Sequence, residues 1–199
     1  MPNTIDFYFD FMSPYAYLAH QKLPDMADRH GYVIVYRPLD LGEAKQFVGN
    51  TGPANREIPV KHRHLRIDLK RWADLYGVAF SPPAGYGSAR LNCGTFLAND
   101  RNVARKYVSV AWHLVWGLGG DMNDDILLRD VAHRMGWAQD EFLDYTVSEN
   151  ARTRLRDSQA LAMDRGVFGV PMMVLGDEMW WGNDRLHFVE NHLRTRAAG

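Results

Sequence analysis

The first forty residues leave few folds open. An apolar run over residues 4–9 has strand character. Ser13 and Pro14 follow, then a helical pattern from Pro14 to about Arg29, then YVIVYRPL at residues 32–39. That last segment, rich in β-branched and aromatic residues, reads as a second strand. Strand, helix and strand at this spacing fit a right-handed βαβ unit. Pro24 is expected to kink or shorten the helix, and Gly31 to end it. Ser13 and Pro14 in DFMSPYAY (residues 10–17) therefore sit where a strand ends and a helix begins. Backbone N–H groups point outward at such a place and favour an anion.

Beyond residue 40 the character changes. Residues 40–57, with Gly42, Gly49, Gly52 and Pro53, read as a loop. Over residues 59–77, Leu65, Leu69, Trp72 and Tyr76 step by four, three and four, which predicts a helix. Residues 80–87 form another loop. Further helical patterns run over residues 88–98, 103–116, 124–135, 139–148 and 151–165. Strands return in PMMVLG and DEMWWG, joined by a tight turn at Gly176-Asp177. A last helix is expected from Asn183, as its N-cap, to about Arg196. This order predicts an α/β thioredoxin-like fold with a large helical insertion domain. The thioredoxin-like unit is discontinuous, over residues 1–40 and 166–199, and the insertion covers 41–165.

Composition narrows the function classes. The chain has 199 residues, 46% hydrophobic, enough for a packed core. A formal charge of −1 gives no basic face for nucleic acid. The N-terminal segment lacks a basic and apolar leader pattern, and no apolar stretch reaches the ~18 residues of a membrane span. A cytoplasmic protein is expected. Cys93 is the only cysteine, so an internal disulfide, CxxC redox chemistry and a cysteine-based zinc site are excluded.

Three segments carry chemistry, each beside a plainer reading. Ser13 before Pro14 is a common helix start, with serine as cap and proline in the first turn. The same hydroxyl could donate to a bound thiolate and keep it ionised. The proline of Val170-Pro171 is permitted at a strand start. It is also where a cis peptide would expose the Val170 backbone to a bound peptide, as in strand addition. In WGNDR, Asn183 and Asp184 suit a helix start, or they hold the carboxylate and ammonium of an amino-acid head group. His62 and His64 face different ways and lack a third metal ligand. Cys93 reads as a buried thiol. Gly117-Leu-Gly-Gly follows no strand and is no dinucleotide fingerprint. Trp112, Trp116 and Trp137 read as core, and Lys70, Arg71 and Asp74 as a solvated face.

Together FDFMSPYAYLA, the GNTGPANR…VK stretch and GVFGVPMMVLGDEMWWGNDRL resemble 2-hydroxychromene-2-carboxylate isomerases, relatives of kappa-class glutathione transferases. The resemblance covers the whole chain. It implies glutathione as cofactor, with Ser13 facing the sulfur and Val170, before Pro171, pairing with the cysteinyl backbone. Trp181, Gly182, Asn183 and Asp184 would hold the γ-glutamyl end. Asn55 and Arg56 would border the site, with Asn50 a rival for the asparagine role. Lys45, Lys61, Tyr86, Arg90 and Asn92 would complete the substrate side. Met172 and Met173 would alter pocket shape. The implied reaction interconverts 2-hydroxychromene-2-carboxylate and trans-o-hydroxybenzylidenepyruvate, in the breakdown of naphthalene-type aromatics, by reversible thiolate addition. A homodimer is implied as well, with no metal. Rival readings are a kappa-like transferase or peroxidase, which would consume glutathione, and a non-catalytic thiol- or peptide-binding module. A DsbA-type oxidoreductase shares the fold but needs the cysteines this chain lacks.

Overall fold

The computed structural model describes residues 3–197. The first two and last two residues of the expected thioredoxin-like unit lie outside them. Strand β1 (Asn3–Phe9) pairs in parallel with β2 (Tyr32–Pro38), Ile5 opposite Ile34. Between them stand two helices, α1 (Pro14–His20) and α2 (Leu23–Arg29), where one helix kinked or shortened at Pro24 was expected. Pro24 is the cause. It has no N–H and its ring opposes the carbonyl four residues back, on His20, yet it is tolerated in the first turn of α2.

Strand β3 (Met172–Leu175) lies antiparallel on the other side of β1, and β4 (Glu178–Trp181) antiparallel beside β3, so the sheet order is β2-β1-β3-β4. Leu175 pairs with Glu178 across the expected two-residue turn. Gly176 there has φ 60°, in the left-handed region such a turn demands.

Between β2 and β3 run α3 (Leu41–Phe47), α4 (Pro59–Tyr76), α5 (Ala89–Asp100), α6 (Ala104–Trp112), α7 (Asp125–Met135), α8 (Gln139–Val147) and α9 (Glu149–Asp164). Helix α10 (Leu186–Ala197) closes the fold. Three expectations need correction. Residues 40–57 are not all loop: Asp40 caps α3 by accepting the Glu43 N–H at 3.0 Å, and Asn55–Glu57 form a 3-10 turn. The helix expected over 103–116 becomes a π-helical turn at His113–Gly117. Asn183 does not cap α10. It opens a 3-10 turn, Asn183–Arg185, and its buried side chain faces Tyr76 instead.

Strand alternation sorts the core. Ile5, Phe7 and Phe9 face the larger core and Tyr8 the smaller one. Phe7, Phe9 and Phe11 surround the buried Trp112, with ring centroids 6.3, 5.1 and 5.2 Å from it. That core continues from the sheet through α5 to α8. Met172 belongs to the smaller core and Met173 to the larger, both fully buried. Neither shapes a cavity, contrary to expectation. Among the described residues no helix is long and apolar enough to cross a membrane. Nor does any group of three or more His, Cys, Asp or Glu suit a metal ion.

Candidate active site

Strand β1 delivers the chain to a turn over residues 10–13. The Ser13 N–H donates to the Asp10 carbonyl at 2.9 Å, and Ser13 Oγ accepts the Ala16 N–H at 3.2 Å. The cap reading of Ser13 therefore holds. Capping uses only an oxygen lone pair. The hydroxyl hydrogen has no acceptor among the described residues, so it is free to donate to a ligand. Helix α1 has seven residues, so Ser13 and the first-turn N–H groups carry more of any anion binding than a long helix dipole would.

Across from this turn lies the β3–β4 hairpin. The Val170-Pro171 peptide is cis. The Gly182 N–H donates to the Pro171 carbonyl at 2.9 Å, tying the end of β4 to the start of β3. Gly182 has φ 107°, and a Cβ there would lie 2.6 Å from Asp184 Oδ1, so the position requires glycine. Val170 makes no backbone hydrogen bond among the described residues, which leaves its edge open.

Two cavities meet here, sharing Tyr15, Val170 and Trp181. The smaller, about 420 Å³, is lined by Asp68, Trp72, Gly182, Asn183, Asp184 and Arg185 as well. Asp68 accepts the Tyr15 hydroxyl at 2.6 Å, and burial together with Asp68 pushes the Tyr15 phenol well above its usual range. Asn183 is buried. Its Oδ1 accepts the Tyr76 hydroxyl at 3.1 Å, while its Nδ2 has no partner. Burial raises the Tyr76 phenol too. Arg185 pairs with Asp184, leaving Asp68 as a second carboxylate on this wall.

The larger cavity, about 460 Å³, holds Ser13. Its cations are Lys45, Arg56 and Arg66, with His62 beside them, and no carboxylate lies among its described lining residues. Its walls are aromatic. Phe80 stacks on Trp116 at 5.7 Å and 11°, and Tyr86 meets Trp116 at 6.2 Å. The Arg56 guanidinium lies over the Tyr86 ring at 5.1 Å. Phe168 and Trp181 meet edge-on at 5.0 Å, and are 40% and 54% exposed. Aromatics this exposed beside a cavity suit a ligand that covers them.

The structure thus brings Ser13, Val170, Pro171, Trp181, Gly182, Asn183 and Asp184 to one seam. Lys45, Asn50, Asn55, Arg56 and Tyr86 ring the larger cavity. Three expected substrate-side residues stand elsewhere. Lys61 is exposed on α4 and lines neither cavity. Arg90 turns outward to Asp125, at 2.5 Å, and to Thr146, at 3.2 Å. Asn92 is buried behind the Ser13 turn, bonded to Phe11, Leu39 and Asp10. Arg90 and Asn92 both sit on α5, whose axis runs behind the turn.

A family model described as a DSBA-like thioredoxin domain matches residues 4–194. A 2-hydroxychromene-2-carboxylate isomerase of Sphingobium xenophagum is 44% identical over 193 residues, covering 97% of this chain and 99% of that protein. The chain belongs to the 2-hydroxychromene-2-carboxylate isomerase family. The solved structure of an isomerase of this family superposes with a TM-score of 0.93 at 42% identity, covering 96% of this chain and 95% of the other. Glutathione S-transferase kappa 2 of Caenorhabditis elegans is more distant, 24% identical over 225 residues, with 100% of this chain and 96% of that protein covered.

As a member of this isomerase family the chain is an enzyme, and Cys93 is not its nucleophile. Burial pushes that thiol up to about 11, so it stays protonated, and it lines neither cavity. The sequence reading missed Tyr15, His62, Arg66, Asp68, Phe80, Trp116 and Phe168. Helical spacing held the signal for three of these: residues 62, 65, 66 and 69 share the face of α4 toward the larger cavity, and 68 and 72 the face toward the smaller. Trp116, read as core, is nearly buried yet also lines the larger cavity.

Proposed function

We propose that this isomerase interconverts 2-hydroxychromene-2-carboxylate and trans-o-hydroxybenzylidenepyruvate with glutathione as a recycled cofactor. The observation that carries the reading is the division of charge across one seam. A small cavity with two carboxylates, one of them paired to Arg185, and an unpartnered buried amide joins a larger one with cations, no carboxylate among its described lining residues, aromatic walls and the Ser13 hydroxyl. Glutathione fits that division. Its ammonium suits Asp184 and Asp68, its γ-glutamyl carboxylate suits the free Asn183 Nδ2, and its cysteinyl backbone suits the open edge at Val170. When bound, it would supply a thiolate for reversible addition to the benzylic carbon conjugated to the ketone, so that the former double bond could turn before elimination returned the thiolate.

The chain's own residues do the rest. Ser13 donates its spare hydrogen to keep the sulfur ionised. Lys45, Asn50, Asn55 and Arg56 offer charge-assisted or amide hydrogen bonds to the substrate carboxylate and to negative charge developing on the ketone oxygen. Phe80, Tyr86 and Trp116 present flat faces to an aromatic ring.

The test is an absorbance assay on 2-hydroxychromene-2-carboxylate with and without glutathione, with free thiol counted before and after. Turnover that needs glutathione and leaves it unconsumed is expected. Stoichiometric loss of glutathione would move the protein to the transferase class. Binding without any turnover would make it a thiol-binding module.

A further inference from the structure

The turn carrying Ser13 is held by a polar clamp whose Asp10 and Asn92 line neither cavity. Four of its backbone groups have partners from outside or within the turn. The Phe11 N–H donates to Asn92 Oδ1 at 3.3 Å, and the Phe11 carbonyl accepts Trp116 Nε1–H at 2.8 Å. The Met12 N–H donates to Asp10 Oδ1 at 3.0 Å, and the Ser13 N–H to the Asp10 carbonyl. The clamp also reaches outward. Asp10 Oδ2 accepts the Leu41 N–H at 2.9 Å, at the first residue of α3, which carries Lys45. Asn92 Nδ2 donates to Asp10 Oδ1 at 3.2 Å and to the Leu39 carbonyl, at the end of β2, at 3.0 Å.

We propose that Asp10 and Asn92 are positioning residues that hold the Ser13 hydroxyl and the Lys45 helix in fixed register across the larger cavity. The inference rests on the proposed function for what that register serves. Four observations converge on it. Asp10 and Asn92 are each 1% exposed, so neither can touch a ligand directly. Burial drives the Asp10 carboxyl up, while its hydrogen bonds pull it back, which fits a carboxylate kept for its acceptor geometry rather than for solvation. One carboxylate bridges two elements, the Ser13 turn and α3, that approach the cavity from different directions. The amide of Asn92 fills the remaining donor and acceptor sites between them. A reacting geometry that shifts by about an ångström loses about two orders of magnitude in rate, so such a clamp has catalytic consequences without contact.

The test compares Asn92→Ala and the milder Asp10→Asn with wild type and with Ser148→Ala. Ser148 caps α9, accepting the Ala151 N–H at 3.2 Å and donating to the Tyr145 carbonyl at 2.7 Å, and shares no partner with the clamp, so that variant supplies a stability control. Two readouts are taken. In the ligand-free protein, amide exchange at Phe11, Met12 and Leu41 is expected to accelerate together in both clamp variants and not in the control. In the assay, kcat is expected to fall by about 10- to 100-fold, as a misplaced site would, while the KM for glutathione changes by less than about 3-fold because the smaller cavity is intact. The far-ultraviolet absorbance of bound thiolate should fall in parallel. Clamp variants that stay folded and keep the wild-type kcat, or exchange that rises only at one of the three amides, would overturn the assignment. Wild-type turnover with glutathione, read in the same assay, judges the proposed function separately.

Discussion

At the residue scale, one oxygen and one hydrogen of Ser13 serve two partners: the oxygen caps α1, and the hydrogen remains for a ligand. Ser13→Ala removes both. Loss of the cap is expected to cost about 1 kcal/mol of stability. Loss of the donor is expected to lower glutathione-dependent kcat by about 10²- to 10³-fold. Thermal unfolding and turnover, measured on the same preparation, separate the two effects. Asn183 makes a sharper case, because its Nδ2 is buried without a partner until a ligand arrives. Asn183→Leu is expected to weaken glutathione binding by about 10- to 150-fold, the usual range for losing a hydrogen bond to a charged group. Calorimetry should show that loss with kcat at saturating glutathione little changed. These two residues were legible in the sequence because SPY and WGNDR carry their chemistry in a few consecutive letters. Asn92 was not. Nothing in LNCG distinguishes an amide aimed into a cavity from one aimed at the chain behind it.

At the element scale, α1 presses His20 into the core. Its Nε2 lies 2.8 Å from Ser109 Oγ, and Tyr36 and Trp112 pack on its ring. Burial, helped by the Arg105 cation, holds the imidazole down at about 3; the Asp25 and Asp28 carboxylates nearby are taken up by Arg105. The native imidazole therefore stays neutral while the unfolded one protonates below about 6.5. In that window the unfolded state binds more protons, so stability falls as pH drops, by up to about 1.4 kcal/mol per pH unit for this one group. Denaturant unfolding from pH 7 to 4 should show the slope, and His20→Gln should flatten it. Helices α5, α6 and α8 meet at Gly94, where a Cβ would come within 2.3 Å of the Tyr107 hydroxyl and 2.9 Å of the Phe142 ring. Gly94→Ala is expected to cost about 1–3 kcal/mol through overpacking, read as a lowered Tm in calorimetry. Strong periodicity made α4 and the hairpin legible. Helix α3 was hidden because Gly42 and Gly49 stand at its two ends, and only the Asp40 cap distinguishes it from loop.

At the scale of the whole molecule, the sequence order of strands and helices was enough to predict the thioredoxin-like α/β fold. The charge division between the cavities was not legible, since it arises from α4 crossing between them with Asp68 on one side and His62 and Arg66 on the other. The expected homodimer is checked by light scattering, which should return twice the chain's mass. The claim on which the rest depends is that one tripeptide thiol spans the seam. Its most direct test is a crystal structure of the protein grown with glutathione. The sulfur is expected within hydrogen-bond distance of the Ser13 hydroxyl, the cysteinyl backbone on Val170, and the ammonium between Asp68 and Asp184. Glutathione bound elsewhere, or lying across the seam with its sulfur turned away from Ser13, would contradict it.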